Sequence, residues 1–394
     1  MRPISFLLAL VLLVLVISHA VARSITSSQQ PTESMTPILL EVADAPIPFA
    51  GSDGKTHLVY ELRMMNFTSG NISVQQVDVL GDGSTIATLD AAQIGTRLQP
   101  FGKRDAASDL TAGAGAQLFL HLTLANAQAV PQKLSHRIKL HADAAPPGQQ
   151  DFSEDGGDIT VDRQPVAVIG PPLRGTGYIS ADSCCDATRH TRAALPVNGR
   201  IWVAQRYAVD WEQVDDQNRI YNGPQEKDES YTIYGKEALA VADAKVASVT
   251  DTYPSQTPGQ YPTNIKIEEA DGNCVVLDLG HSRYALYAHL QQGKIRVHPG
   301  DTVKRGQVLG LVGNSGNSLA PHLHFHVMST PSPLASNGLP YEIDRFQVTG
   351  ATPGTAAFDE AESKGTPLPT APFSPPHDAK NALPLDQLII TFAP

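Results

Sequence analysis

Cysteine is scarce in this chain, with Cys184, Cys185 and Cys274 the full set in 394 residues. They show no C-x-x-C spacing, which excludes a zinc site built from paired thiolates. An odd count allows at most one bridge within the chain. Adjacent cysteines bridge with difficulty, so the expected pairing runs from Cys184 or Cys185 to Cys274. Excess positive charge is also lacking. The net charge is -11, and nucleic acid, which needs a basic face, is excluded as a partner. Beyond the first 22 residues no apolar run is long enough to cross a bilayer, so no transmembrane segment is expected in the mature chain.

What is present begins with a leader, MRPISFLLALVLLVLVISHAVA. Arg2 supplies its positive start, Ile4 to Ile17 its apolar stretch, and Ala20-Val21-Ala22 a small-x-small cleavage site. The mature chain is expected to begin at Arg23, and the protein to be secreted or periplasmic. An uncleaved anchor is the alternative. The whole chain is 41% hydrophobic with 31 Gly and 30 Pro, which suits many short strands joined by turns.

Residues 23–36 read as a polar, flexible arm. Residues 37–169 follow period two. In QLFLHLTLA, Leu118, Leu120, Leu122 and Leu124 fall on one face and Phe119, His121 and Thr123 on the other. THLVYELRM repeats the pattern with Leu58, Tyr60, Leu62 and Met64. Several such strands separated by turn signals predict a β-sandwich. His121, His136 and His141 read as ordinary strand residues, and Asn66 and Asn71 match the glycosylation sequon. GPPLRGT at 170–176 is a linker, 177–345 a second strand-rich domain, and 346–394 a Pro-rich tail expected to be extended apart from LIITF. The fold class is all-β.

The densest chemistry is APHLHFHVM at 320–328. On a strand, His322, His324 and His326 share one face and Leu323, Phe325 and Val327 the other, with same-face neighbours ~7 Å apart. Imidazole is the commonest zinc ligand, so one ring can bind Zn2+ while the next stands beside the activated water.

Around this strand lie further motifs in order: Asp210 ending QRYAVDW; Tyr287, His289 and Leu290; a Gly-Asp-x-Val-x-x-Gly-Gln turn from Gly300 to Gln307; Gly313 to Gly316; and Pro321-His322-Leu323-His324-Phe325. Together they resemble the lysostaphin-like, LytM-type zinc metalloendopeptidases that cut peptidoglycan cross-links, over roughly residues 200–330. The resemblance implies a duplicated-hybrid-motif, barrel-sandwich-like β domain and peptidoglycan peptides as substrate. It implies Asp210 and His324 as metal ligands, His289 and His322 as the unliganded catalytic histidines, and Tyr287 as a flanking residue. Lipoyl and biotinyl carriers share the Gly-Asp-x-Val turn, but a leader peptide and a His-x-His strand do not suit them.

One position departs from the family. Arg206, on the same expected strand face as Asp210, stands where the first histidine ligand usually does, and arginine cannot bind zinc. Candidates for the third ligand are His190, on a preceding loop that a disulfide could pin, then His326, then His298. Arg206 would then pair with Asp210 or another acidic neighbour, or bind a substrate carboxylate. The alternative is a catalytically inactive cell-wall binding or regulatory protein on the same fold. Between the Asp210 strand and ALAVADAKV lies an acidic, aromatic insertion with Tyr221, Tyr231, Tyr234, Glu226, Asp228 and Glu229. A loop in that place is expected to set substrate choice.

Overall fold

The computed structural model describes residues 35–392. The leader at 1–22 and the arm as far as residue 34 lie outside the described residues. The molecule is all-β, as the alternating patterns require.

Two five-stranded sheets form the first half. One runs in the order Ile38–Val42, Thr56–Asn66, Gly115–Leu124, Leu98–Pro100, and the other Asp151–Thr160, Lys133–Ala142, Ile72–Gly81, Ser84–Asp90. Leu58, Tyr60 and Leu62 stand opposite Leu122, Leu120 and Leu118. All face a core shared with Val74, Val77, Ile138 and Leu140 of the other sheet. Each leucine so buried stabilises the fold by about 1.5–3 kcal/mol. His136 also lies inside. Its Nε2 accepts the Tyr60 hydroxyl at 2.9 Å, and its Nδ1 lies 3.3 Å from the Gly156 carbonyl. Burial lowers its pKa to about 4, so the ring is neutral. The Asn66 sequon is structural: the side chain is buried and its amide donates to the carbonyls of Gly70, Leu110 and Thr111.

The strand Thr56–Asn66 is buried on both faces. Its second face, with His57, Val59 and Glu61, is covered by the second half of the chain. Val59 joins the core of that half, and Phe49 meets Tyr207 edge-on at 5.4 Å. Arg206 donates to both Glu61 oxygens, at 2.7 and 2.5 Å, and to the Gly338 carbonyl. This corrects the expected place of Arg206. Residues 204–207 form a turn, and the strand begins only at Val209. Side-chain alternation therefore does not extend from Asp210 back to Arg206.

The second half is built on an eleven-stranded sheet. Its central order is Asn273–Gly280, Arg283–Leu290, Leu323–Met328, Val209–Gln213, Gly175–Ala181, Leu388–Phe392, Phe346–Ala351, Ala371–Ala379. One face carries Tyr287, Phe325, Trp211 and Phe392 into a common core. Outside LIITF the tail departs from the extended form expected for it, with the strands Phe346–Ala351 and Ala371–Ala379 and a helix. LIITF is the strand Leu388–Phe392, paired between Gly175–Ala181 and Phe346–Ala351. A helix, Thr355–Lys364, buries Phe358 and Ala361 against Ile179, Ala181 and Tyr231.

The cysteine pairing is also corrected. Cys184 and Cys185 bond to each other, and Cys274 is free and buried. Cys274 lies on a strand four places along the sheet from the one leading into Cys184. Four spacings of ~4.8 Å put them about 19 Å apart, beyond the ~7 Å a bridge tolerates.

Candidate metal centre

Three adjacent antiparallel strands assemble the site. Asp210 stands opposite His324 on one side and Ala181 on the other. Period two sends Trp211 and Phe325 into the core and turns Asp210, His324 and His326 to the opposite face. The strand Gly175–Ala181 then leads into a loop and the short helix Thr188–Thr191, which carries His190.

The polar atoms converge. His324 Nδ1 lies 2.8 Å from Asp210 Oδ1, and His190 Nε2 lies 3.3 Å from Asp210 Oδ2. Donor atoms of His190, Asp210 and His324 all fall within 4.8 Å of one another. The same holds for His289, His322 and His324. Ligands ~2.0–2.1 Å from a tetrahedral zinc ion stand about 3.4 Å apart, so the first trio matches that scale.

Each ring is oriented by its other nitrogen. His190 Nδ1 donates to the Asp182 carbonyl at 2.8 Å, leaving Nε2 toward Asp210. His289 Nδ1 donates to the Ser315 carbonyl at 2.7 Å, and His322 Nδ1 to the Ala320 carbonyl at 2.8 Å. His324 Nε2 meets His326 Nδ1 at 3.0 Å. When His324 Nδ1 offers its lone pair to a cation, Nε2–H is the donor to His326. Two imidazoles and a carboxylate, with the rings held in the required tautomers, form a donor set that fits Zn2+.

His289 reaches the group by breaking a rule. Strict alternation puts it on the Tyr287 face, away from His324, because Tyr287 stands opposite Phe325. A left-handed backbone at His289, φ 61°, interrupts the alternation. The ring then lies 4.6 Å from that of His322 and 5.8 Å from that of His324. Such a conformation costs about 1–3 kcal/mol away from glycine and persists where the surroundings enforce it.

Electrostatics follow from burial and the single carboxylate. Burial, with His322 and His324 beside it, holds His289 well below the usual imidazole range. Burial lowers His324 despite Asp210, and lowers His326 further. Burial alone would lower His190 too, but Asp210 reverses this and raises it to about 9. Burial works against the Asp210 charge, yet His190 and His322 outweigh it and keep Asp210 well below the carboxylate range. A cation here would compete with the proton shared by His190 and Asp210.

The centre lies in a cleft of about 1070 Å³. Arg104 of the sandwich, Tyr231 and Tyr261, and the helix Thr355–Lys364 contribute to its walls. Of the other residues read from the sequence, Tyr287 is withdrawn: it is fully buried in the core, where its hydroxyl accepts from the Val241 amide at 2.9 Å. His298 is exposed beside Asp301, away from the cleft lining. His326 stands behind His324. In the insertion, Asp228 bonds Ser255 and the Asn314 amide, while Glu226 and Glu229 are exposed. Three residues were missed. Asp182 orients His190; it had no local signal. Glu212 shares the Asp210 face two residues on, which VDWEQ displays. Glu362 comes from the tail, whose sequence gives no sign of returning here.

Residues 231–336 match the sequence profile of Peptidase family M23. The peptidoglycan DD-endopeptidase ShyA of Vibrio cholerae is 41% identical over 63 residues, which span 16% of this chain and 14% of that relative. Similar solved structures include the lysostaphin catalytic domain of Staphylococcus simulans, 23% identical over 42% of this chain and 86% of that one, at TM-score 0.22. Another is the catalytic domain of the prophage-encoded M23 protein EnpA from Enterococcus faecalis, 18% identical over 45% and 93%, at TM-score 0.25. At those TM-scores neither likeness carries an argument here. The profile match overlaps the segment at roughly 200–330 whose motifs resemble the lysostaphin-like, LytM-type peptidases, and residues 231–336 are similar to Peptidase family M23.

Proposed function

We propose that this chain is an exported, zinc-dependent endopeptidase that hydrolyses peptide bonds in peptidoglycan. The observation that carries the proposal is the convergence of His190, Asp210 and His324 within 4.8 Å, with each ring oriented by a hydrogen bond at its other nitrogen. In this reading His190 takes the place that Arg206 leaves empty. The family profile and the matched segment of a peptidoglycan endopeptidase support the substrate class.

A bound zinc ion would polarise a peptide carbonyl and bring the pKa of a water near ~7. The chain's own residues do the rest. His289 Nε2 is the free nitrogen of a ring that burial keeps neutral, so it accepts the proton that water loses. His322, with Nδ1 donating to the Ala320 carbonyl, presents Nε2 to the cleft, and in its imidazolium form that nitrogen would donate to the oxygen on which charge develops. Asp210 and His190 hold the charge balance of the site, and His326 steadies His324 from behind.

The test is metal analysis alongside digestion of purified peptidoglycan. About one zinc per chain is expected, with release of peptides that stops on chelation. His190→Ala should lose both the metal and the digestion while its melting curve is retained. Zinc-replete protein that binds the wall with no metal would instead be a binding or regulatory protein.

A further inference from the structure

The cleft wall beside the metal centre carries more carboxylates than it has cations to match. Arg189 is shared between Asp182 at 2.8 Å and Asp359 at 2.6 Å, and Glu360 is paired with Lys364. This leaves Glu212 and Glu362 with no salt bridge among the described residues. Glu212 is only 4% exposed. It lines the cleft, and its Oε2 has no hydrogen-bond partner among the described residues. Tyr231, 2% exposed and also in the lining, has a hydroxyl in the same condition. Tyr231 packs with Phe358 and Ala361 of the helix that carries Glu362 and with Ile179, which stands opposite Glu212 in the ladder, and all three groups line the cleft.

A buried carboxyl oxygen without a donor is costly, and a ligand that donates to it would offset that cost. The ligand must bring positive charge and several donors. The groups of His, Cys and acidic residues whose ligand atoms converge, among the described residues, do not include Glu212 or Glu362. A second metal ion is therefore not what the geometry offers. An alkylammonium has three N–H donors and no acceptor, and two carboxylates and a phenol oxygen supply three acceptors. Charge-assisted bonds of this kind are about twice as strong as neutral ones.

We infer that Glu212, Glu362 and Tyr231 form a subsite for a primary ammonium group on the substrate peptide, adjacent to the metal centre. The inference rests on the peptidase reading for its peptide substrate. It adds a specificity element to which the tail contributes: Glu362 lies on the helix Thr355–Lys364, beyond the family match at 231–336.

The test uses the zinc-supplied full chain and soluble peptides released from peptidoglycan by glycan cleavage. One portion keeps its free amines; the other has them acetylated. Equilibrium capture by immobilised protein is measured for both portions, and cleavage is followed separately. Capture is expected to favour the free-amine peptides at least tenfold, the loss anticipated when a charged hydrogen-bonding partner is removed. Glu362→Gln and Glu212→Gln should each shrink that preference to threefold or less. Equal capture of the two portions, or an unchanged preference in both variants, overturns the subsite whatever cleavage shows. Preferential capture without cleavage leaves the subsite standing and removes the peptidase reading. Should Glu212→Gln fail to fold, Glu362→Gln, half-buried on its helix, decides the matter alone.

Discussion

Two clusters of histidines lie in this molecule, and they are put to different use. His57 and His121 sit where the sandwich meets the second half of the chain. His57 Nδ1 faces His121 Nε2 at 2.8 Å, His57 Nε2 faces Asp53 at 3.0 Å, and His121 Nδ1 faces Asp186 at 2.9 Å. All four ring nitrogens are thus engaged. Cys185, the third potential ligand there, is in a disulfide and offers no thiolate. In the cleft, His190, His289 and His322 each tie one nitrogen to a backbone carbonyl and leave the other facing a common centre. Both groups bring donor atoms within 4.8 Å. Proximity is therefore shared, and what distinguishes the cleft is that its free ring nitrogens converge on one carboxylate-bearing centre instead of pairing off with separate partners.

The largest effect that would sharpen this contrast lies beside the first group. Arg206→Ala leaves Glu61 charged and buried, and should cost about 3–5 kcal/mol in denaturant unfolding. Zinc content should hold in the folded fraction; loss of zinc without loss of stability would return Arg206 to the metal site. Next comes acid. His136 has a folded pKa of about 4 against an ordinary value near 6.5, so the unfolded chain binds more protons between these values. Its contribution, about 3 kcal/mol, is complete above pH 6.5 and is lost as pH falls toward 4. Melting temperature followed over that range should fall, and His136→Phe should flatten the slope. A third test probes the histidine behind the ligand. His326→Ala removes the group that fixes His324 and should weaken zinc binding 10–100-fold, read by competition with a chelator, with the fold intact. The smallest effect is expected from His121→Ala, about 1–3 kcal/mol of stability with zinc stoichiometry unchanged. A change in stoichiometry there would dissolve the distinction between the two groups.

The legible parts of the sequence were those governed by short periods. Leu58, Tyr60 and Leu62, and Leu118, Leu120 and Leu122, alternate, and the structure aligns them across one ladder. His324 and His326 share one face of a strand, as their spacing predicts. What failed was inference across a change of backbone. Arg206 was assigned to the Asp210 face because a strand was extended through a turn. Tyr287 is placed beside the site by the family resemblance, whereas a single positive φ at His289 separates their directions. Burial of the second face of Thr56–Asn66 depended on residues about 145 positions away, as the Arg206–Glu61 pair shows. Local pattern has no access to such pairings.

The strand Leu388–Phe392 hydrogen-bonds directly to Gly175–Ala181, the segment that leads into the His190 loop. A fragment cut at 177–345 would strip that neighbour away and leave a row of amides and carbonyls bare along one margin, an invitation to sticking between copies. Translation must likewise run more than two hundred residues past Ala181 before the ladder closes. Until then, any imidazole carried by that loop would rest on an unfinished scaffold.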